Sequence, residues 1–180
     1  MIHLNSQTRN VTLPAKMRLD LGGVAKGWCA EVAAERLSKY APALVDAGGD
    51  IAVSGLRADA SAWPVGVENP HDDTRDLALL ALGACGVATS ATNHRRWRAG
   101  GVEQHHIINP RTGEPAQTDV TSATVVAKTA VEAEAGAKMA VLLGARAGLA
   151  WIESHQQAAL LVTTNGDVLR STRMHQFEWR

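Results

Sequence analysis

Residues 120–127 (VTSATVVA) constrain the fold more than any other stretch of this chain. β-Branched side chains pack well on a pleated sheet and crowd a helix, so the run predicts a strand. A helix follows over residues 129–143 and ends at Gly144, a residue suited to the left-handed conformation that closes helices. A second helix spans roughly residues 145–154. Next come two apolar runs, 158–163 and 168–170, with Asn165-Gly166 between them. Asn-Gly accommodates the turn that matches strand twist, so these runs predict a hairpin.

The upstream pattern is less regular. Val11 and Leu13 alternate, Pro14-Ala15-Lys16 reads as a turn, and Met17, Leu19 and Leu21 alternate again, which predicts a strand pair over residues 9–21. Gly22-Gly23 then leads into a helix over residues 25–40, its core face carried by Val32, Ala33, Leu37 and either Trp28 or Cys29, with Pro42 beyond its end. Residues 43–53 read as strand, Gly48-Gly49-Asp50 turn, strand. Short strands are expected around Val65 and Val67 and over residues 77–82 and 105–108. The sum is a mixed α/β (α+β) domain of largely antiparallel sheets with packed helices, one domain over residues 1–180. Its strand and helix order is too irregular for a doubly wound parallel sheet.

Charge narrows the function. Lys+Arg and Asp+Glu both number 18, so no broad basic field exists to hold a nucleic acid, and phosphate recognition must be local. No apolar run approaches the roughly 20 residues of a membrane span, and the first ten residues lack the apolar core of a signal peptide, so the chain as written is expected to be cytoplasmic. An exported precursor is the alternative if the chain is a fragment. Cys29 and Cys85 form no CxxC pair and read as buried packing thiols.

Four segments are candidates for chemistry. The Gly22-Gly23 turn opens a helix whose first turn holds Lys26; unpaired helical N–H groups and an ammonium together suit a pyrophosphate, with Asp20 placed to accept from a ribose or amide. The bland reading of the same residues is a turn with a solvated lysine and a helix-capping Asp20. Gly48-Gly49-Asp50 reads as a tight turn stabilised by its Asp. His105 and His106 point to opposite faces of a strand, so they do not share a metal; one is either a ligand contact or general base, or both are structural. Glu134 and Lys138 share a helix face four residues apart, an arrangement usually solvated.

The ordered segments LDLGGVAKG, ALVDAGGDIAVSG, WPVGVENP, GVATSA, HHIINPRTGEPA and TSATVVAKTAVEAEAGAKMAVLLG closely resemble the ApbE-type FAD:protein FMN transferases, collinearly over residues 9–170. The resemblance implies an ApbE-like, T-fold-like architecture. It implies transfer of FMN from FAD to a Thr or Ser hydroxyl of an acceptor flavoprotein, with AMP released and usually Mg²⁺ bound. Carried over residue by residue, it implies FAD contacts from Asp20, Lys26, Ser90 and His105, with His106 as contact or base. It places metal binding at the Gly23 carbonyl and at the positions of Glu134 and Lys138.

Several positions depart from the family pattern. Glu134 stands where the family has a metal-binding Asp, and Lys138 where it has a metal-binding Thr; a protonated lysine does not ligate a cation, which makes Mg²⁺ doubtful. The pair is therefore expected to substitute for the metal. Asn109 replaces the Asp of the HIIDP-like segment, and Ala91 the Gly of the TSG-type loop. The family's N-terminal part, which supplies much of the flavin pocket, is missing, so a homodimer mate or a separate N-terminal partner is expected to complete it. Two alternatives stay open: a non-catalytic flavin-binding or trafficking module with a degenerate metal site, and an FAD pyrophosphatase with water in place of the acceptor.

Overall fold

A computed structural model describes residues 1–179. In chain order its elements are β1 (His3–Asn5), β2 (Asn10–Thr12), α1 (Ala25–Ser38), β3 (Leu44–Asp46), β4 (Asp50–Val53), β5 (Trp63–Glu68), β6 (Asp76–Leu82), β7 (Cys85–Ala91), β8 (Arg96–Ala99), β9 (Val102–His105), β10 (Val120–Ala127), α2 (Ala130–Leu143), α3 (Ala145–Ser154), β11 (Ala158–Thr163) and β12 (Val168–Arg170), followed by a 3₁₀ turn at Met174–Gln176. The fold is α+β. A six-stranded sheet in the order β12-β11-β10-β7-β4-β3, antiparallel at every pairing, is joined by three two-stranded hairpins, β1–β2, β5–β6 and β8–β9.

β10 lies inside this sheet, and all eight of its residues are buried. Burial on both faces follows from the layers around it. Ala123, Val125 and Ala127 pack against Ala133, Ala137, Ala140 and Val141 of α2 and Ile152 of α3. On the opposite face Val126, Val87 and Leu160 meet Val67, Leu80 and Leu82 of the β5–β6 hairpin, with Met174. The segment after the 3₁₀ turn closes this side, Ala81 donating to the Phe177 carbonyl at 2.7 Å and Trp179 to that of Leu79 at 2.7 Å. α2 begins as its residues require: Thr129 caps it, its side chain accepting from the Glu132 N–H at 3.1 Å while the Glu132 carboxylate accepts from the Thr129 N–H at 3.3 Å.

The structure corrects four expectations. The strand pair near the start is β1 with β2, not two strands within residues 9–21. Met17, Leu19 and Leu21 are exposed and find no strand partner, and alternation makes a strand only where a packing surface exists. α1 buries Gly27, Ala30 and Ala34 rather than Trp28 and Leu37, because only small residues fit its close contact with α2 and β4. Cys29 is exposed on that helix, and Cys85 is partly buried, not fully. β9 ends at His105, and beyond it only a single bridge joins Ile108 to Pro115. Among the described residues no helix is long and apolar enough to cross a membrane.

Candidate active site

The first turn of α1, the Gly48-Gly49 turn, the end of β7 and the C-terminal half of α2 converge on a cleft of about 390 Å³. Glycine creates the convergence. A Cβ on Gly27 would lie 2.6 Å from the Ala130 carbonyl oxygen, and one on Gly86 would strike the backbone of Thr129 and Ala130. α1 and β7 therefore both sit directly against the start of α2.

That approach gives Glu134 a role its helical spacing does not suggest. The side chain is 1% exposed, and Oε2 accepts the Gly27 N–H at 2.9 Å. Gly27 lies in the first turn of α1, where backbone N–H groups have no intrahelical partner, and no side chain of the N-cap Val24 serves them. Glu134 thus caps α1 from a neighbouring helix, where the helix dipole also favours negative charge. Its other oxygen, Oε1, holds Lys138 Nζ at 3.0 Å. The pair is buried at the carboxylate and 29% exposed at the lysine, not a solvated surface pair.

A second pair lies beside it. Lys26 Nζ is 2.8 Å from Asp50 Oδ2 and 3.5 Å from the Gly48 carbonyl oxygen. The two side chains form an ion pair. Asp50 is 1% exposed. Burial pushes its carboxyl above the ordinary 3.8, and the Lys26 contact offsets this only in part. The sequence pattern predicts Asp50 to stabilise the Gly48-Gly49 turn. The turn is instead stabilised by Asp46, whose Oδ1 accepts the Gly49 N–H at 2.7 Å, with Gly48 and Gly49 at φ 75° and 89°. Helical or strand periodicity carries no signal for the Asp50 pair, because its lysine is 24 residues away in sequence (Lys26 to Asp50).

Of the residues singled out in the sequence, Lys26, Ser90, His106 and Lys138 line the cleft together, and Gly23 lies under the Lys138 stem, whose Cδ is 3.5 Å from where a Gly23 Cβ would stand. Asp20 does not line it. Its Oδ1 accepts the Gly22 N–H at 2.7 Å, so the carboxylate shapes the turn and caps no helix. His105 also stays out: Nε2 is 3.0 Å from the Ala116 carbonyl oxygen and Nδ1 is 3.3 Å from the Ile107 nitrogen, which engages both ring nitrogens within its own loop. Glu68, within the WPVGVENP segment but not singled out there, joins the rim, as do His94 and Arg95, which lie in none of the quoted motifs. Partial burial lowers the His106 pKa below 6.5, and the Arg95 charge adds to the effect.

A model of the ApbE family matches residues 1–162. The FAD:protein FMN transferase of Treponema pallidum is 39% identical over 141 residues, covering 72% of this chain and 39% of that protein. The Vibrio cholerae enzyme of the same name is 30% identical over 166 residues, covering 91% of this chain and 50% of its own length. Among solved structures, the ApbE protein of Thermotoga maritima superposes with a TM-score of 0.86 at 31% identity, over 99% of this chain and 59% of that one. The flavin transferase ApbE of Vibrio cholerae gives 0.81 at 27% identity, over 98% and 57%. The chain spans about half the length of the curated relatives it matches.

Proposed function

The chain belongs to the ApbE family, and from that membership we propose that it carries the nucleotide-handling site of an FAD:protein FMN transferase. The observation that supports this most is that His106, Lys26, Lys138 and Ser90 line one cleft. The acceptor is a Thr or Ser hydroxyl of a flavoprotein. Its oxygen attacks the phosphorus on the FMN side of the FAD diphosphate while its proton passes to the neutral His106 ring. The bond from that phosphorus to the bridging oxygen breaks, and AMP leaves with the bridging oxygen. Burial and Arg95 keep His106 deprotonated to lower pH than an ordinary histidine, which suits a base. Lys26 and Lys138 meet the charge that collects on the leaving phosphate, and Ser90 borders it. Asp20 acts by holding the Gly22 turn in shape, and His105 by holding the loop that carries His106.

The residues present do not fit the Mg²⁺ that the resemblance implies. One Glu134 oxygen is held by the Gly27 N–H and the other by the Lys138 ammonium, which stands at the cleft side of the carboxylate.

The test is to incubate the chain with FAD and an acceptor flavoprotein domain and to follow acceptor mass and AMP. Flavin on the acceptor, lost in His106→Ala, supports transfer. Free FMN with AMP and an unmodified acceptor would instead identify a pyrophosphatase, and FAD bound without turnover would identify a binding module.

A further inference from the structure

We propose that Lys138 and Lys26 together form a built-in dication that holds the nucleotide's diphosphate without a divalent metal, an inference that rests on the reading of the cleft as a nucleotide site. Each ammonium is anchored from behind by a carboxylate that is itself 1% exposed: Lys138 by Glu134 at 3.0 Å, Lys26 by Asp50 at 2.8 Å. The lysine side chains stay 29% and 44% exposed, and both line the cleft. An entering anion therefore meets ammonium protons before it meets either carboxylate. An ammonium has three donors, and the anchoring carboxylate uses only part of that capacity.

Position favours the lysine over an added ion. Lys138 already holds Glu134 Oε1 at 3.0 Å, so a divalent ion reaches that carboxylate only by expelling the lysine. Glu134 is not free to swing toward such an ion, because Gly27 pins its other oxygen. Gly23 borders the same arrangement: a Cβ there would stand 3.5 and 3.7 Å from Lys138 Cδ and Cε.

The test is calorimetric titration of the whole chain with FAD and, separately, with inorganic pyrophosphate, each in EDTA and in Mg²⁺. Both ligands are expected to bind the parent chain in EDTA about as tightly as in Mg²⁺. Lys138→Met should weaken metal-free binding of both about tenfold or more, the scale of a charge-assisted contact. The double variant Glu134→Gln with Lys138→Met leaves no buried charge unpaired and should show the same loss, which separates the effect from misfolding. Metal-free binding unchanged by either variant overturns the proposal. FAD binding that requires Mg²⁺ overturns it and leaves the transferase reading standing. Pyrophosphate bound in EDTA without FAD binding supports the dication and removes the flavin reading, and no binding of either ligand under any condition removes both.

Discussion

Glu134 accepts the Gly27 N–H at 2.9 Å, and this bond ties the only buried carboxylate of α2 to the first turn of α1. Glu134→Ala should therefore cost about 3 kcal/mol, the range for a buried pair losing one partner and leaving a polar group unsatisfied. Lys138, being partly exposed, recovers some solvation and keeps the loss from being larger. Glu134→Gln retains an acceptor for Gly27 and should cost about half as much. Urea unfolding of the two variants measures the difference. Equal losses would mean that the bond to Gly27 contributes nothing.

Gly27→Ala sets two effects against each other. Alanine is the better helix former, by at most roughly 0.5–1 kcal/mol, the helix-interior value, since Gly27 lies in the first turn. The new methyl, however, would sit 2.6 Å from the Ala130 carbonyl oxygen, a backbone atom that cannot rotate away. Overpacking of this kind costs about 1–3 kcal/mol, so the clash wins and the melting temperature should fall. FAD affinity should fall with it, because α1 carries Lys26. A variant more stable than the parent chain would show that the helices can part without loss.

How far the sequence discloses this arrangement depends on the range of the forces involved. β10, α2 and the β11–β12 hairpin rest on local signals, namely β-branched residues, a Gly144 stop and an Asn-Gly turn, and they lie where those signals put them. β7 (CGVATSA) has too little side-chain bulk to announce a strand; β4 and β10 on either side impose it. Lys26, Ser90 and His106 were recognisable from motif order. Asp50 was not, nor was the burial of Glu134, because both depend on how closely glycines let α1 and β7 approach α2.

The two thiols should react at very different rates. Cys29 is exposed on α1, whereas burial pushes the Cys85 thiol up to about 11. Only a small thiolate fraction then exists at pH 8, and thiolate is the reactive form. A disulfide reagent added to the native chain should modify one equivalent quickly, and Cys29→Ser should abolish that phase. Two equally fast equivalents would contradict the burial of Cys85.

Asp50 should make stability depend on pH. Its native pKa lies above 3.8, so folding favours the protonated carboxyl. The stability this contributes is fully present below pH 3.8 and is lost as pH rises through the raised native value. Asp50→Asn removes the dependence. It leaves Lys26, which is 44% exposed, in contact with water. The stability of Asp50→Asn relative to the parent should therefore climb through that window and stay level on either side. Unfolding midpoints across the acid and neutral range measure the difference, and parallel curves would show that Lys26 cancels the cost of burial.

The proposed role of His106 as the base carries its own pH signature. A base must be neutral, so on that proposal transfer should hold a plateau at neutral pH and decline as pH falls through the His106 pKa. Partial burial is the largest cause that moves this value below 6.5; Arg95, His105 and Lys138 act in the same direction by charge, and a hydrogen bond with the Arg95 backbone opposes them. The acid limb should accordingly lie below that of an ordinary histidine. Arg95→Gln removes one positive neighbour while keeping the backbone bond, so the limb should move toward 6.5, though not fully, because burial remains. The pH dependence of kcat/KM tests this with both chains, and a nuclear magnetic resonance titration of the His106 ring tests it without substrate. A rate limb that stays fixed while the ring titration moves would assign proton removal to another group and leave His106 a contact residue.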